Sequence, residues 1–402
     1  MMLGLMLILV ALAVAAYLAF SRRLARSESW TAMVTPLASI MGSGFLVSAP
    51  LLAHEVGNLA VLCMAVLLAL AYALGGALRF NIRHFEPIEH TEKGAAQSLA
   101  HISRLVLAAA YFISITYYLE LLAAFGLNLA GVEDEQAARW ITTALLLTIG
   151  GIGASRGLVM LERVERYAIS LNLGVIAALL VALVVHNVSA LSGGAWALPD
   201  LASTVDLRGA RVLLGLLIVV QGFETSRYLG SAHSAEVRIR TMRLAQLTAT
   251  GIYLVFLGAV TILFQDGLGA DVTAIITMVA PVSAVLVGML SIAAIGSQFS
   301  AAVADTSGAG GLLEDLSGGR LSHRSVYLVI LAVCVALTWE TDVNQIIAYA
   351  SRAFALYYAL QCLVAFAVAH QLEGPGRGRR LACFGALTLL CVAVFLFGLP
   401  AE

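Results

Sequence analysis

Two long hydrophobic stretches of this chain are each interrupted near the centre by a short sequence that contains glycine and polar residues. The first interruption is residues 42–45 (GSGF), within the apolar residues 31–53, and the second is residues 221–224 (QGFE), within residues 210–229. A helix break inside a bilayer frees backbone carbonyl and amide groups that lipid cannot satisfy, so it persists only where these groups line a cavity or bind a ligand. Two such breaks in corresponding positions of two halves are typical of binding sites in membrane transport proteins.

Composition places the chain in a membrane. Apolar residues make up 61% and charged residues 12% of the sequence, and the mean hydropathy is +0.94, which excludes a water-soluble globular domain. A helix needs roughly 18 or more apolar residues to span a bilayer. The sequence predicts an all-α integral membrane protein with twelve such helices, at residues 2–20, 31–53, 59–80, 105–130, 138–154, 167–187, 210–230, 244–265, 281–307, 325–339, 344–369 and 381–399.

The arginine and lysine residues indicate how these helices are oriented. Nineteen of these 23 residues lie on one side of the membrane, which we call the basic side. The segments on this side are residues 22–26, 79–104, 156–166, 227–243, 320–324 and 377–380. The opposite connections hold only Arg139, Arg208 and Arg211, and Arg352 falls inside a helix. Because loops rich in Lys and Arg stay in the cytoplasm, both termini are predicted to lie outside. The predicted location is the inner membrane of a bacterium.

Helices two to eleven form two groups of five, with one extra helix before them and one after. The predicted groups are residues 31–187 and 210–369, and the extra helices are residues 2–20 and 381–399, all within a single membrane domain. Because five is odd, the two groups enter the membrane from opposite sides, and each begins with an interrupted helix. This arrangement predicts an inverted repeat whose two breaks meet near the middle of the bilayer. Glycine pairs also occur where membrane helices pack closely, which is the alternative interpretation of the first interruption.

Three segments carry a resemblance to a known family of transporters. Residues 35–45 (TPLASIMGSGF) are similar to the glycine-rich break in the first core helix of the amino acid–polyamine–organocation (APC) superfamily. Residues 221–224 and the basic residues that follow resemble the G-F-E motif of its sixth core helix. Residues 291–316 resemble the eighth helix of sodium/solute symporters, which have the same LeuT-type core. The resemblance implies a LeuT-like fold with an inverted five-helix repeat.

The resemblance also implies that the two interruptions line the substrate site and that the third core helix faces them. Aromatic side chains on that helix would cover a ligand, or else pack in the core with their hydroxyl groups satisfied. The predicted substrate-binding residues are Ser39, Gly42, Ser43, Gly44, Phe45, Tyr117, Glu120, Gln221, Gly222, Phe223 and Glu224.

Four charged residues within the predicted membrane helices stand out, namely Glu120, Glu224, Asp305 and Arg352. A charge there costs about 2.5–3.5 kcal/mol on insertion scales, so each is a candidate for coupling or gating. Glu224 would contact the substrate or carry a proton, or would cap the helix that resumes after the break. Arg352 requires a buried carboxylate partner, for which Glu120 and Glu224 are the candidates by depth. Such an ion pair would either gate transport or hold the helix that contains Arg352 in place.

By analogy with the family, a cation site would form between the first and eighth core helices. Its ligands would be the carbonyl groups near Ala38 and Met41 and the hydroxyl groups of Ser297 and Ser300, which suit a hard cation such as Na⁺. Hydroxyl groups in helices also bond to their own backbone, which is the alternative. The chain departs from the family in two respects. The Ser/Thr pair of sodium symporters is reduced to these two serines, and the one lysine of the chain lies in a loop. A proton carried on a buried glutamate is the other candidate coupling ion, and no cofactor is predicted.

Other residue patterns exclude most alternative functions. Residues 84–90 contain histidine and glutamate, but Pro87 prevents a helix that would align them, so a solvated loop without a metal is predicted. The five cysteines lie in apolar runs without metal-type spacing. The sequence has no nucleophile–base arrangement, phosphate-binding loop or nucleic-acid-binding patch, which argues against an enzyme and against a nucleic-acid partner.

Together these features predict a secondary active transporter that moves a small, amino-acid-like organic solute by alternating access. It would be a symporter or antiporter coupled to Na⁺ or H⁺, with the solute and the lipid bilayer as its partners. The alternative is a non-transporting sensor or partner subunit that has kept the fold, which the reduced serine pattern at the cation site favours. Ligand binding without flux would identify this alternative.

Overall fold

A computed structural model describes residues 2–89, 91, 93–132, 134–156, 159–230, 233–265, 273–318 and 320–399, with the backbone alone described at residues 43, 156, 159–166, 218 and 344. All regular structure within these ranges is helical. We label the membrane-crossing helices in chain order as α1 Met2–Phe20, α2 Glu28–Val56, α3 Ala60–His84, α4 Ala95–Leu129, α5 Glu135–Arg156, α6 Val159–Ser192, α7 Leu207–Leu229, α8 Ala235–Val260, α9 Ala284–Leu316, α10 His323–Glu340, α11 Val343–Gln371 and α12 Arg377–Phe397. Short helices occupy Arg22–Ala25 and Ala274–Val279.

The prediction of an all-α membrane protein with about twelve membrane helices is confirmed. Ten continuous helical stretches of the described chain are long and apolar enough to span a bilayer. One of them, residues 28–84, contains both α2 and α3, which are joined by the single 3-10 turn Gly57–Leu59. The interrupted helix α7, which is not among these ten stretches, occupies the predicted crossing at residues 210–230. Several helices extend past the predicted apolar windows, and α4, with 35 residues, is about 52 Å long.

Helix starts follow from side chains that satisfy the first backbone amide groups. Ser27 caps α2, Asp206 caps α7 and Asp342 caps α11, and each accepts a hydrogen bond from the backbone N–H three residues later at 2.6 to 3.3 Å. These amide groups have no partner within the helix, so a short polar side chain just before it determines where the helix begins.

Helix α4 is central to the packing and contacts α5, α9, α10 and α11. Helices α2 and α7 cross each other, and both contact α8. The two extra helices pack on the core, α1 against α6 and α12 against α11. Gly174 of α6 lets α1 approach closely, because a Cβ at this position would overlap the carbonyl oxygen of Ala11 and lie 3.0 Å from Ala15 Cβ.

The predicted break in the first core helix is wrong. Helix α2 is continuous and includes residues 42–45. Glycine costs a helix only about 1 kcal/mol relative to alanine, so a glycine pair does not by itself end one. The glycines instead permit close contact: a Cβ on Gly44 would lie 2.6 Å from Val219 Cβ of α7, and one on Gly42 would lie 3.3 Å from Ser297 Oγ of α9. The helix-packing interpretation therefore holds for this segment.

The predicted break in α7 is confirmed. The helix Leu207–Gly215 is followed by the 3-10 turn Leu217–Val220, by Gln221 and Gly222 without regular structure, and by the 3-10 helix Phe223–Leu229. Gly222 has a φ of 115°, a conformation in which a side chain would be strained. The interruption of this helix therefore depends on a glycine at position 222.

Candidate functional site

Helices α2 and α7 meet at the α7 break, as the sequence predicted. A Cβ added at Gly222 would lie 2.5 Å from Ser39 Oγ and 2.7 Å from Ile40 N, so a glycine is required for this approach. Tyr253 of α8 joins the two helices, because its hydroxyl oxygen lies 3.1 Å from Ile40 O and 2.5 Å from Val219 O. The break is therefore pressed against α2 and held there from α8.

Glu224 lies directly after the break and is buried, with 1% of its surface exposed. Its Oε2 accepts hydrogen bonds from the backbone N–H of Gly222 (2.9 Å) and from the hydroxyl group of Tyr358 on α11 (2.7 Å). The first bond satisfies an amide group that the break has freed, which is a capping role. The second bond ties the break to α11. A carboxyl group that could contact a substrate or carry a proton thus also stabilises the break.

Gln221 places an unsatisfied acceptor beside the break. Its Nε2 donates to Tyr118 Oη on α4 (3.1 Å), whereas its Oε1 is buried and has no hydrogen-bond partner among the described residues. A buried acceptor without a partner costs about 1–3 kcal/mol. The next residue, Phe223, stacks on Tyr358 with ring centroids 5.2 Å apart. A polar ligand that donates a hydrogen bond to Gln221 would remove the cost of the unsatisfied oxygen.

Asp305 of α9 adds a second buried carboxyl group to this region. Its Oδ2 accepts a hydrogen bond from Ser114 Oγ of α4. Ser114 precedes Tyr118 by about one helical turn, so Asp305 lies about one turn closer to the basic side than the amide group of Gln221. Tyr358 and Ser114, which hold the two carboxyl groups, were not among the predicted site residues.

Glu120 lies further along α4, away from the basic side. Its surface is 4% exposed, and neither carboxyl oxygen has a hydrogen-bond partner among the described residues. The charged groups that act on it are Arg139 of α5 and Asp342 at the start of α11. Arg139 itself donates to the carbonyl oxygen of Thr341 (3.4 Å). An ionised carboxylate without a hydrogen-bond partner is costly inside a membrane, so this environment favours the neutral acid.

Three further predicted residues lie on the helices around the crossing. Phe45 packs against Tyr253 and Phe256 of α8, with ring centroids 5.2 and 4.4 Å away, and so contributes to the contact between α2 and α8. Tyr117 is fully buried on α4. The side chain of Ser43 lies outside the described residues. Phe45 therefore has a packing role that the sequence did not distinguish from substrate binding.

The predicted cation site falls where α2 approaches α9 and α6. Ser297 Oγ accepts a hydrogen bond from Asn172 Nδ2 of α6 (3.1 Å), and Gly42 O accepts one from Gln298 Nε2 of α9 (3.2 Å). Amide donors therefore point at two oxygen atoms of this region. The predicted ligands lie on the two facing helices, namely Ala38, Met41, Ser297 and Ser300.

The predicted carboxylate partner of Arg352 is wrong. The Nε and Nη2 atoms of Arg352 donate to the carbonyl oxygen of Gly398 at 3.0 and 2.5 Å. Arg211 Nε donates to the neighbouring Phe397 O at 3.0 Å. The last carbonyl groups of a helix lack helical partners and carry partial negative charge, which two arginines satisfy at the end of α12. Arg352 therefore anchors the last helix to α11.

A cavity of about 830 Å³ opens on the basic side between α4, α7, α8 and α9. The charged residues that line it are Glu86, Glu89, Arg104, Arg227, Arg238 and Asp315. Arg227 Nη2 lies 3.5 Å from Glu89, and Arg238 Nη2 lies 2.6 Å from Glu86. Arg104 Nη1 lies 2.9 Å from Asp315. Arg104 Nη2 also lies 3.9 Å from Glu89 Oε1, so four ion pairs among the described residues join the segments around the cavity.

The loop at residues 84–90, predicted only to be solvated, also makes ion pairs through its two glutamates. Glu86 and Glu89 are held by Arg238 and Arg227, which come more than 130 residues later in the chain. His90 lies outside the described residues. No local sequence pattern indicates a pairing over such a separation, so the sequence did not reveal these ion pairs.

Two tyrosines stand between this cavity and the buried carboxyl groups. Tyr111 and Tyr228 line the cavity, and Tyr228 Oη lies 3.2 Å from Oη of Tyr357, the residue before Tyr358. The hydroxyl group of Tyr358 binds Glu224, so the polar groups at the α7 break lie just beyond the inner end of the cavity. In the described part of the chain, no group of three His, Cys, Asp or Glu residues could hold a metal ion.

Comparison with known proteins agrees with this architecture. The sequence matches the family model described as "APC superfamily transporter" over residues 22–398. A protein of Aquifex aeolicus (strain VF5), described only as an uncharacterized protein, is 42% identical over 386 residues, which cover 94% of this chain and 93% of that protein.

Several solved structures share the fold at low sequence identity. A manganese transporter of Eremococcus coleocola, in complex with an aromatic bis-isothiourea substituted compound, has a TM-score of 0.58 and 12% identity, over 93% of this chain and 88% of that one. A Na⁺-coupled sialic acid symporter has a TM-score of 0.55 and 11% identity, over 100% and 98%. Mhp1, a nucleobase-cation-symport-1 family transporter, has a TM-score of 0.52 and 13% identity, over 90% and 91%. These similarities confirm the predicted LeuT-like fold.

Proposed function

Because this chain belongs to the APC superfamily of transporters, we propose that it is a secondary active transporter that carries a small, amino-acid-like organic solute by alternating access. Family and fold establish a membrane transport protein rather than an enzyme. The proposal adds the solute class, the coupling ion and the mechanism. The observation that carries it is the buried polar cluster at the α7 break, where Gln221 Oε1 lacks a hydrogen-bond partner among the described residues and two carboxyl groups lie nearby.

The chemistry of this cluster supports a solute with an amino group. Gln221 Oε1 is an acceptor to which no described residue donates, and Glu224 and Asp305 supply further carboxyl oxygens. An ammonium group offers three N–H donors to such oxygens. Tyr118 Oη accepts from Gln221, so its own hydrogen can be donated to a solute carboxylate. Because α2 is continuous, the freed backbone groups of the site come from α7.

Buried glutamates support the proton as the coupling ion. Neither carboxyl oxygen of Glu120 has a hydrogen-bond partner in the described part of the chain, so this residue is expected to carry a proton whenever water is excluded. At the candidate sodium site, Asn172 and Gln298 already donate to the oxygen atoms of Ser297 and Gly42. Each of these oxygens therefore has one acceptor position already in use, which leaves less capacity for sodium and favours the proton.

The cavity on the basic side supports alternating access. The excess of arginine on that side supports a cytoplasmic location for it, with both termini outside. In this conformation a solute would reach the cytoplasm from the α7 break once Tyr111 and Tyr228 separate. The change to the opposite conformation would close the cavity and rearrange the ion pairs of Arg104, Arg227 and Arg238 around it.

Uptake by proteoliposomes tests the proposal. Purified protein is offered a mixed pool of amino acids and small organic solutes, with proton and Na⁺ gradients imposed in separate runs. Accumulation driven by the proton gradient is expected. Solute binding without accumulation under either gradient would contradict the proposal and indicate a sensor or partner subunit that has kept the fold.

The substitution Glu120→Gln separates coupling from solute binding. Glutamine has the same shape but does not ionise, so accumulation driven by a proton gradient is expected to be lost. Exchange of internal for external solute requires no net proton movement and is expected to continue. Glu340→Gln, which changes an exposed glutamate of α10, is the matched control and retains both activities. Loss of exchange together with accumulation in Glu120→Gln would contradict the coupling role.

A further inference from the structure

A second cavity lies on the basic side at the junction of α1, α2 and α6. Its volume is about 280 Å³, and its lining is mainly apolar, with Leu18, Trp30, Val34, Ile169 and Leu173 among its residues. None of these residues lines the larger cavity below the α7 break. The proposed transport mechanism gives this space no role.

Aromatic residues indicate the depth of the cavity in the membrane. Phe20 at the end of α1 and Tyr167 on α6 are in contact, with ring centroids 5.9 Å apart, and they are 71% and 52% exposed. Exposed aromatic side chains concentrate at the boundary between lipid and water. Leu18 and Ile169, two residues further into the membrane on the same helices, line the cavity. The cavity therefore extends from the headgroup region towards the hydrocarbon interior.

Positive charge gathers beside this cavity. Arg22, Arg23 and Arg26 follow α1 directly and are exposed, and they flank Ala25, which lines the cavity. The acidic residue of this segment, Glu28, lies 3.9 Å from His233 Nδ1. Three arginines against one glutamate leave the segment with a net positive charge at headgroup depth.

We propose that this second cavity binds an anionic phospholipid, with an acyl chain between α1, α2 and α6 and the phosphate group against Arg22, Arg23 and Arg26. Basic residues next to membrane helices attract anionic headgroups, and basic pockets between helices bind them specifically. A free phosphate ion would make no use of the apolar lining, and a lipid without net charge would gain little from the arginines. The bound lipid would join the extra helix α1 to α2, one of the two helices that form the solute site.

Tryptophan fluorescence provides a direct test, because Trp30 lines the cavity. The other tryptophans lie towards the side opposite the basic side: Trp140 near the start of α5, Trp196 between α6 and α7, and Trp339 near the end of α10. The variant W140F/W196F/W339F therefore leaves Trp30 as a single probe. The full-length variant is reconstituted in vesicles that contain increasing fractions of dibrominated phosphatidylglycerol or dibrominated phosphatidylcholine, since bromine quenches tryptophan on contact. Quenching of Trp30 is expected to saturate at an about tenfold lower fraction of the anionic lipid than of the neutral lipid.

Charge variants complete the experiment. Replacing Arg22, Arg23 and Arg26 by glutamine should remove the preference for the anionic lipid. The matched control replaces Arg240, Arg379 and Arg380, which are exposed on the basic side of α8 and α12, and should keep the preference. Equal quenching by the two lipids would overturn the proposal in favour of ordinary bulk lipid, and absence of quenching by both would show a cavity closed to lipid. A preference that survives in the Arg22/Arg23/Arg26 variant would also overturn it.

Discussion

The glycine-containing segments of α2 and α7 look alike in sequence and differ in structure. In α2, Gly42 and Gly44 lie within a continuous helix. In α7, Gly222 has a φ of 115° and separates two helical segments. The difference lies in the polar groups around the glycine. Glu224 Oε2 accepts a hydrogen bond from Gly222 N, and Thr225 Oγ1 donates one to Gly222 O at 2.8 Å.

This comparison shows that glycine permits a break in a membrane helix but does not cause one. A break requires side chains that replace the lost helical hydrogen bonds, because lipid cannot supply them. Helix α7 has such side chains beside its glycine. The glycines of α2 instead make room for Val219 and Ser297. We therefore expect α7 to supply the polar groups of the solute site and α2 to supply the surface that confines them.

The largest effect is expected from Gly222→Ala. The new Cβ would lie 2.5 Å from Ser39 Oγ, and alanine would be strained at this φ, which costs about 1–3 kcal/mol before the overlap is counted. Uptake by proteoliposomes is expected to fall to background. The control is Gly251→Ala on α8, where a Cβ meets no atom within 4 Å. Uptake at the control rate in Gly222→Ala would show that the break does not need a glycine.

A smaller effect, a loss of stability, is expected from Gly44→Ala. Its Cβ would lie 2.6 Å from Val219 Cβ and 2.7 Å from Val219 Cα, so α2 and α7 must move apart, at a cost of about 1–3 kcal/mol. The backbone of α2 is helical here and adds no strain. The melting temperature of the purified protein should fall relative to Gly126→Ala, where a Cβ on α4 meets no atom within 4 Å. Equal melting temperatures would contradict the close packing of the two helices.

Removing the hydroxyl group of Tyr358 tests whether the polar groups around the α7 break support the solute site. Tyr358→Phe keeps the ring stacked on Phe223 but removes the hydrogen bond to Glu224, which contributes about 1 kcal/mol. The concentration of solute that gives half-maximal uptake should rise about fivefold. Tyr349→Phe, which changes an exposed tyrosine of α11, should leave it unchanged. Indistinguishable values for the two variants would show that this bond does not support the solute site.

The smallest effect is expected from Gly42→Ala. Its Cβ would lie 3.3 Å from Ser297 Oγ, a contact that a small shift can relieve, and alanine favours the helix by about 1 kcal/mol. Uptake and melting temperature should both stay close to those of the unsubstituted protein. A loss of uptake as large as that of Gly222→Ala would indicate that α2 also opens during transport, and the contrast between the two segments would fail.

The sequence predicted the features that depend on local composition. Apolar length identified the twelve helices, and the polar residues beside Gly222 identified the break in α7. Gly42 and Gly44 misled the prediction because a glycine pair is compatible both with a break and with close packing, and the partner that decides, Val219, lies on another helix.

Long-range partners could not be predicted. Arg352 binds the backbone carbonyl group of Gly398, directly after α12, rather than a carboxylate, and a sequence pattern does not mark a backbone acceptor. The pairing of Glu86 with Arg238 joins residues 152 positions apart. Tyr358, which holds Glu224, comes 134 residues after it. Each of these contacts depends on how the helices are arranged, which a single sequence does not encode in its local pattern.

Hydrogen–deuterium exchange with and without the transported solute tests most directly whether the α7 break is the solute site and α2 its continuous partner. Backbone amides exchange slowly where helical hydrogen bonds persist and faster where they are absent. Without solute, residues 219–226 are expected to exchange faster than residues 39–45, and solute should slow exchange at residues 219–226 alone. Equally fast exchange in both segments, or no change at residues 219–226 when a transported solute is added, would contradict the account.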